Sequence, residues 1–274
     1  DLFSAVFVPG LMLAAFYVSY VLIRCNLNHD LAPTAAEIAA RTGEETKLGR
    51  HQVWAVVLCI LLIVCVMGSI YGGITSVTEA AAVGVFGAIV VAAVRFQFNY
   101  ALIRDCLANT MSVVGTIIWL ILGAVAFVGL YNLIGGADFM RDLIKGAGLG
   151  ALGTIFVMMA ILVILGTFME WIAIIFITVP VFAPVVRDLA PELGMEPEWA
   201  AVWFGILFVM NIQIYFLSPP FGPACFWLKS VAPRDVTLQE IFVSVIPFIC
   251  LQIVGMLLVM FFPQIALWMP QLLN

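Results

Sequence analysis

Charged residues are scarce in this 274-residue chain, which has 11 basic and 16 acidic side chains. They make up 10% of the sequence, against about a quarter of an ordinary soluble domain. Apolar residues make up 65%, and so few charges cannot form a water-exposed shell around them. The composition therefore predicts an integral membrane protein and disfavours a soluble enzyme.

Residues that bind haem or transition metals are also few. The two histidines, His29 and His51, lie in or beside the longest polar stretch, so neither is placed to ligate haem inside an apolar run. The six cysteines form no CxxC pair, and Cys59, Cys65 and Cys250 lie within apolar runs, where we interpret them as small packing residues. The charges form no basic stripe or tail, which argues against nucleic acid as a partner.

Long apolar runs dominate the sequence. Residues 53–67 and 243–262 are almost unbroken, whereas the strands of a transmembrane barrel alternate apolar and polar residues. A helix needs about 20 residues to cross the bilayer core, so the chain allows at most about nine or ten crossings. The sequence thus predicts an all-α, polytopic membrane protein embedded in the lipid bilayer.

The first residue, Asp1, opens directly into an apolar run, without the basic segment or cleavage site of a signal peptide. We therefore expect the chain to be a fragment of a longer protein.

The apolar runs predict membrane spans over residues 3–23, 52–71 and 79–94, and a final span over residues 241–262. Four of the 11 basic residues lie in the polar stretch 24–50. The positive-inside rule assigns that stretch to the cytoplasmic side.

The middle of the chain is harder to interpret. Residues 95–108 are amphipathic, which predicts a helix lying along the membrane interface. Residues 109–131 are long enough to span, but glycines interrupt residues 123–136 before a short amphipathic piece at 138–149. Two short helices around a glycine-rich bend would form a re-entrant hairpin. A plain span followed by a surface helix fits the pattern equally well.

The apolar run at residues 152–186 is too long for one straight crossing, so we expect it to break inside the membrane. Its charged residue, Glu170, follows Gly166 and Thr167. A charge in the bilayer costs about 2.5–3.5 kcal/mol on insertion scales and marks a functional site by default. Glu170 either helps to bind a cation, takes up a proton, or lies at the membrane surface where the chain reverses.

A second long run, residues 199–228, is interrupted by SPPFG at residues 218–222. Because proline has no amide hydrogen, Pro219 and Pro220 leave the carbonyls of Tyr215 and Phe216 without helical partners. The sequence therefore predicts a second break inside the membrane, since freed backbone groups persist only where protein or a polar cavity surrounds them.

The second break offers groups that suit ions. Free carbonyls and the Ser218 hydroxyl suit a hard monovalent cation, and a new half-helix beginning near Phe221 suits an anion. Gly222 permits backbone conformations that are closed to other residues. A proline kink that only shapes packing is the alternative.

Asn211 and Gln213 lie shortly before Ser218 in an otherwise apolar helix. They either contact a substrate or form hydrogen bonds between helices. Aromatic residues surround the same break, and we interpret them as packing against the core or lipid rather than as a pocket: Tyr215, Phe216, Phe221, Phe226 and Trp227.

Glu79 has a structural explanation. Residues 76–79 read SVTE, which fits the S-x-x-E capping box at the start of an alanine-rich helix. We expect Ser76 to cap that helix and Glu79 to bond back to the backbone.

Three segments together resemble the large, DctM-like membrane subunit of tripartite ATP-independent periplasmic (TRAP) transporters. Residues 72–84 read GGITSVTEAAAVG, similar to GxxTPTEAAAVG, and residues 165–170 read LGTFME, similar to LGMFMD. Residues 211–213 (NIQ), 217–222 (LSPPFG) and 228–233 (LKSVAP) are similar to NLQ, LTPPFG and LKGVAP. The order and spacing of these segments cover essentially the whole chain.

The chain departs from the family pattern at three positions. Val77 replaces the usual proline, Glu170 replaces aspartate, and Trp171 stands where many members have proline. Glutamate is one methylene group longer than aspartate, so the carboxylate of Glu170 reaches further. This difference affects the role that the resemblance implies for Glu170.

The resemblance implies a membrane subunit of the bacterial inner membrane that imports small organic acids by Na⁺ symport. It implies delivery of the acid by a periplasmic substrate-binding protein, a second, small membrane subunit, and no cofactor besides Na⁺ as the coupling ion. The implied fold has two inverted repeats, each with a hairpin and a broken helix, and an elevator-like movement. This chain would hold the later portion, including the second repeat.

The two breaks supply the candidate ion-binding residues, which are Gly166, Thr167, Glu170, Ser218, Pro219, Pro220 and Gly222. Asn211 and Gln213 are the candidate substrate-binding residues. We expect residues 1–108 to form spans, a cytoplasmic loop and an interfacial helix. Residues 109–236 would form the hairpin and broken helices of the transport domain, and residues 237–274 the final span and an interfacial C-terminus.

Two other functions remain open, and a third is disfavoured. One is a single-component organic anion carrier coupled to Na⁺ or H⁺, and another is a scaffold subunit that does not transport. A membrane-embedded enzyme is disfavoured, because no histidine lies in any predicted span and no cluster of metal ligands is apparent.

Overall fold

A computed structural model describes residues 2–28, 50–95, 98–219, 222–232 and 236–273. These residues form eleven α-helices and no β-strand. In chain order the helices are α1 (Leu2–Leu27), α2 (Arg50–Tyr71), α3 (Val77–Val94), α4 (Tyr100–Leu133), α5 (Gly136–Ala147), α6 (Gly150–Gly166), α7 (Trp171–Leu189), α8 (Pro197–Leu217), α9 (Pro223–Val231), α10 (Leu238–Phe261) and α11 (Gln264–Leu273).

Six of the helices in these ranges are long and apolar enough to cross a membrane, namely α1, α3, α4, α7, α8 and α10. Helix α6 and the Val56–Tyr71 part of α2 are shorter apolar helices. The predicted all-α, polytopic fold is therefore confirmed. The polar stretch that we assigned to the cytoplasmic side lies mostly outside the described residues.

The chain divides into two compact units, Asn28–Gly115 and, together, Asp1–Leu27 with Thr116–Asn274. In the first unit α2 packs against α3. The predicted capping box is confirmed there, since the Glu79 backbone N–H donates to Ser76 Oγ (3.3 Å) and the Ser76 N–H donates to Glu79 Oε2 (2.8 Å). The three-part division at residues 108 and 236 stays a prediction.

The separate interfacial helix predicted for residues 95–108 is wrong. Helix α4 is one continuous helix of 34 residues that runs through Gly115, Gly123 and Gly129. A glycine costs a helix interior only about 1 kcal/mol, which is too little to break so long a helix. The chain instead turns at Gly135, where φ is 77°, and α5 follows as a short helix. Of the two arrangements left open by the sequence, the plain long helix followed by a short one is therefore observed.

The predicted break in residues 152–186 is confirmed, because α6 ends at Gly166 and α7 begins at Trp171. Helix α6 runs in the same direction as α8. Asn211 Nδ2 in α8 donates to the Met159 carbonyl in α6 (2.9 Å), and further along both helices Gly166 packs on the ring of Tyr215.

Helix α7 runs in the opposite direction to α8. Trp171, at its start, lies beside Phe216 near the end of α8, and Phe182 packs edge-on against Phe204 near the start of α8 (ring centroids 6.5 Å apart). Helices α6 and α7 are therefore antiparallel and form a helical hairpin. Residues 167–170 form its tip.

The second predicted break is also confirmed, because α8 ends and α9 begins on either side of residues 218–222. Pro220 and Phe221 lie outside the described residues. The expectation that the Tyr215 carbonyl is left free is wrong, because it accepts a hydrogen bond from the Ser218 N–H (3.0 Å). The last turn tightens to an i→i+3 bond, a common way of pairing the carbonyls at a helix end.

Helix α8 lies at the centre of the second unit, where it contacts α1, α6, α7, α9, α10 and α11. Its Trp203 is fully buried, and the indole Nε1 donates to the Val259 carbonyl in α10 (2.8 Å). The helical partner of that carbonyl would be the N–H of residue 263, which is Pro263. Trp203 therefore replaces a hydrogen bond that the proline cannot supply.

We expect Trp203→Phe to lower the free energy of unfolding by about 1–3 kcal/mol, because it leaves the buried Val259 carbonyl unpaired. Thermal unfolding in detergent measures this. Trp268→Phe is the matched control, since Trp268 is 57% exposed. Equal melting temperatures for the two variants would contradict the role given to Trp203.

Candidate functional site

A cleft of about 210 Å³ lies where the hairpin tip meets the end of α8. Three segments form it: the tip with the start of α7, the last turn of α8, and the start of α9. Its lining residues are Met169, Glu170, Trp171, Tyr215, Phe216, Pro223 and Trp227. The hairpin tip and the residues on either side of the second helix break thus line one space.

The packing of Gly166 on Tyr215 brings the tip to the end of α8. Gly166 is buried, and a Cβ on it would lie 2.1 Å from Tyr215 Cδ1 and 2.2 Å from Cγ. No real side chain tolerates such distances, so glycine is needed for the Tyr215 ring to lie across the end of α6.

Glu170 caps the second helix of the hairpin. Its Oε2 accepts a hydrogen bond from the Ile172 backbone N–H (3.1 Å), which pairs one of the amide groups left unbonded at the start of α7. The side chain lies at the reversal of the chain and lines the cleft. Glu170 therefore has a structural role as a cap, and its assignment as an ion-binding residue stays a prediction.

The two hydroxyl groups at the breaks bond in the same way. Thr167 Oγ1 donates to the Ile164 carbonyl and Ser218 Oγ donates to the Ile214 carbonyl, each at 2.7 Å. A hydroxyl that donates its hydrogen to the preceding turn keeps its lone pairs as acceptors. Both oxygens can therefore contribute to a cation site.

Gly222 begins α9 in an unusual conformation, with φ at 25°. Its N–H donates to the Ser218 carbonyl (2.9 Å), and a Cβ on it would lie 2.7 Å from Phe242 Cε1. The site therefore needs glycine for both backbone and space. Pro219 lies in the exposed turn, and Pro220 lies outside the described residues.

Asn211 is fully buried one turn before Tyr215. Its amide nitrogen joins α8 to the Met159 carbonyl of α6, so the hydrogen bond between helices is present. Its Oδ1 has no hydrogen-bond partner in the part of the chain that the structure describes. Contact of Asn211 with a substrate stays a prediction.

Gln213 belongs to a chain of polar contacts that joins three helices. Its Oε1 accepts from Gln252 Nε2 in α10, and Gln252 Oε1 accepts from the Tyr17 hydroxyl in α1 (2.9 Å). These side chains line a second cleft of about 480 Å³, which shares Trp171 and Phe216 with the first. The assignment of Gln213 as a substrate-binding residue stays a prediction.

The predicted site residues thus fall into groups. Glu170 lines the first cleft, Gly166 and Thr167 precede it at the tip, and Ser218 and Gly222 lie at the break beside it. Their roles in binding an ion stay predictions.

Sequence reasoning missed Tyr17 and Gln252. The available signal was a lone amide, Gln252, within the apolar run 243–262, because such a group needs a partner inside the membrane. Tyr215 was interpreted as a packing residue. Its position across Gly166 depends on the hairpin, which no local pattern specifies.

Comparison with known proteins places these features in a family. Residues 1–265 match the family described as "Tripartite ATP-independent periplasmic transporter, DctM component". The ectoine/5-hydroxyectoine TRAP transporter large permease protein UehC of Ruegeria pomeroyi is 30% identical over 99% of this chain and 60% of its own length. The C4-dicarboxylate TRAP transporter large permease protein DctM of Rhodobacter capsulatus is 29% identical over 100% of this chain and 58% of its own length.

The isethionate TRAP transporter permease protein DctMQ of Oleidesulfovibrio alaskensis is 29% identical over 80% of this chain and 33% of its own length. The chain thus spans at most 60% of the length of these three relatives.

We expect Gly166→Ala to lower the free energy of unfolding by about 1–3 kcal/mol, because the added methyl group overlaps the Tyr215 ring. Thermal unfolding in detergent measures the change. The matched control is Gly123→Ala in α4, where an added Cβ meets nothing within 4 Å and alanine favours the helix. A Gly166→Ala variant as stable as this control would show that the tip does not pack as described.

Proposed function

The chain belongs to the DctM family of tripartite ATP-independent periplasmic transporters, and from this premise we propose that it forms part of a membrane subunit importing small organic acids by Na⁺ symport. It is a multi-pass protein of the inner membrane. In this proposal the protein is a transporter subunit and not an enzyme.

The observation that carries the proposal is the cleft shared by the hairpin tip and the broken helix. Irregular backbone inside a membrane is stable only where protein or a polar cavity surrounds it. Here it comes with an acid, Glu170, in the cleft, with the hydroxyl of Thr167 at the hairpin tip and with the hydroxyl of Ser218 at the second break. Neutral oxygens together with one carboxylate suit a hard monovalent cation, which supports Na⁺ as the coupling ion.

Sodium coupling also suits an anionic cargo energetically. A membrane potential of 100 mV drives each net positive charge with about 2.3 kcal/mol, which corresponds to roughly fiftyfold in concentration. When the Na⁺ ions of one transport cycle carry more positive charge than the acid carries negative charge, a net positive charge enters the cell. The membrane potential then drives accumulation of the acid inside. Relatives named for C4-dicarboxylates, ectoines and isethionate support a small organic cargo.

We further propose two protein partners, a periplasmic substrate-binding protein that delivers the acid and a small membrane subunit. The family description "tripartite" supports both. The relative named DctMQ, of which this chain covers 33%, supports a second membrane component.

We expect uptake by proteoliposomes that hold the natural subunit containing this chain together with its small partner to need an inward Na⁺ gradient and the binding protein. Labelled succinate, isethionate and ectoine serve as probes. The control omits the gradient, the binding protein, or both.

Each other result points to a different function. Uptake with Na⁺ but without the binding protein would identify a single-component carrier. Uptake that follows a proton gradient would overturn the Na⁺ assignment, and no uptake of any probe would support a scaffold subunit.

We expect Thr167→Ala and Ser218→Ala each to raise the Na⁺ concentration for half-maximal uptake roughly three- to tenfold, because each removes one oxygen ligand. Uptake measured against Na⁺ at saturating cargo tests this. Ser244→Ala is the matched control, since Ser244 Oγ also donates to a carbonyl of the preceding turn (2.7 Å) but lies in the interior of α10 and not at a helix break. If all three variants have the same Na⁺ dependence, these hydroxyls do not bind the ion.

A further inference from the structure

The cleft contains a buried phenol to which none of the described residues is hydrogen-bonded. Tyr215 is 2% exposed, and its hydroxyl has no hydrogen-bond partner within the residues that the structure describes. A buried polar group that is left unpaired destabilises a protein. Because Tyr215 lines the cleft, a molecule bound there can supply the missing partner.

The phenol is held in place by its surroundings. On one side the ring lies against Gly166, where no larger residue fits. The next residue, Phe216, packs edge-on against Trp227, with ring centroids 5.5 Å apart. A hydroxyl fixed in this way loses little freedom when it binds a ligand, so its contribution to affinity is large.

The chemistry of the cleft limits the kind of partner. A phenol donates its hydrogen most strongly to a charged oxygen such as a carboxylate. The carboxylate of Glu170 lines the same cleft but accepts from the Ile172 N–H, and no bond joins it to Tyr215. A second carboxylate placed near Glu170 needs a positive charge between them, and the coupling Na⁺ of the proposed function supplies it.

We infer that the Tyr215 hydroxyl donates a hydrogen bond to a carboxylate or sulfonate oxygen of the cargo, and so selects cargo with a charged acceptor oxygen. The inference rests on the proposed function and names a residue that contacts the cargo. It also explains why a tyrosine, rather than an apolar ring, fills the space beside Gly166.

The test is Tyr215→Phe in the natural subunit with its partners, with succinate, isethionate and ectoine as probes. We expect the KM for Na⁺-driven uptake to rise about tenfold or more, with the maximal rate and the Na⁺ dependence retained. The melting temperature without cargo should stay the same or rise, since the hydroxyl has no hydrogen bond to the described residues that it could lose. The rise in melting temperature caused by a transported probe should shrink.

Tyr20→Phe is the matched control, because Tyr20 packs edge-on against Phe248 away from the cleft. We expect its KM to equal that of the wild type. An unchanged KM for Tyr215→Phe would overturn the inference about the Tyr215 hydroxyl. Na⁺-driven uptake by the wild type would still support the proposed function in that case. A lower melting temperature with an unchanged KM would likewise overturn it, since the hydroxyl would then be structural.

A wild-type subunit that neither takes up nor is stabilised by any probe would overturn the proposed function, and the inference with it. Stabilisation of the wild type by a probe without uptake would separate the two, because a smaller stabilisation of Tyr215→Phe would still support the contact with Tyr215. Equal stabilisation of the wild type and of Tyr215→Phe by that probe would overturn the inferred contact between the cargo and Tyr215.

Discussion

The contact between Gly166 and the ring of Tyr215 is the interaction on which the candidate site depends. It joins the last residue of α6 to the last turn of α8, and so holds the tip of the hairpin beside the second helix break. Without it Glu170 would cap α7 away from the end of α8, and the residues of the cleft would not share one space. A position that admits only glycine therefore determines where two irregular segments of backbone meet.

The second constraint is the cost of unpaired polar groups in a membrane. The chain meets it at three irregular points with a side chain or a tightened turn. Glu170 pairs an amide at the start of α7, the Ser218 N–H pairs the Tyr215 carbonyl, and Trp203 pairs a carbonyl opposite a proline. Against this background four buried side-chain atoms have no partner among the described residues, namely Thr75 Oγ1, Arg95 Nε, Asn211 Oδ1 and the Tyr215 hydroxyl. The exception that faces the cleft is the one to which we assign a ligand.

Local chemistry explains what the sequence could predict. The adjacent prolines Pro219 and Pro220 mark one break because they leave two successive carbonyls without helical partners. The acid Glu170 marks the other because a charge inside hydrocarbon is costly, and SVTE marks a capping box. The prediction of a separate helix at residues 95–108 was wrong because an amphipathic pattern does not indicate whether a helix ends or continues into the next apolar run. Contacts between distant segments, such as Tyr17 with Gln252 and Gly166 with Tyr215, depend on how helices pack. No local pattern specifies that packing.

A double-mutant cycle measures whether the hairpin tip and the end of α8 are in direct contact. The measurement compares the effect of Gly166→Ala on the free energy of unfolding in the wild type and in a Tyr215→Ala background. Removing the ring removes the three atoms nearest to the added methyl group, so we expect a coupling of at least about 1 kcal/mol between the two positions. Effects that add within roughly 0.3–0.5 kcal/mol would show that the two residues do not touch and would contradict the account.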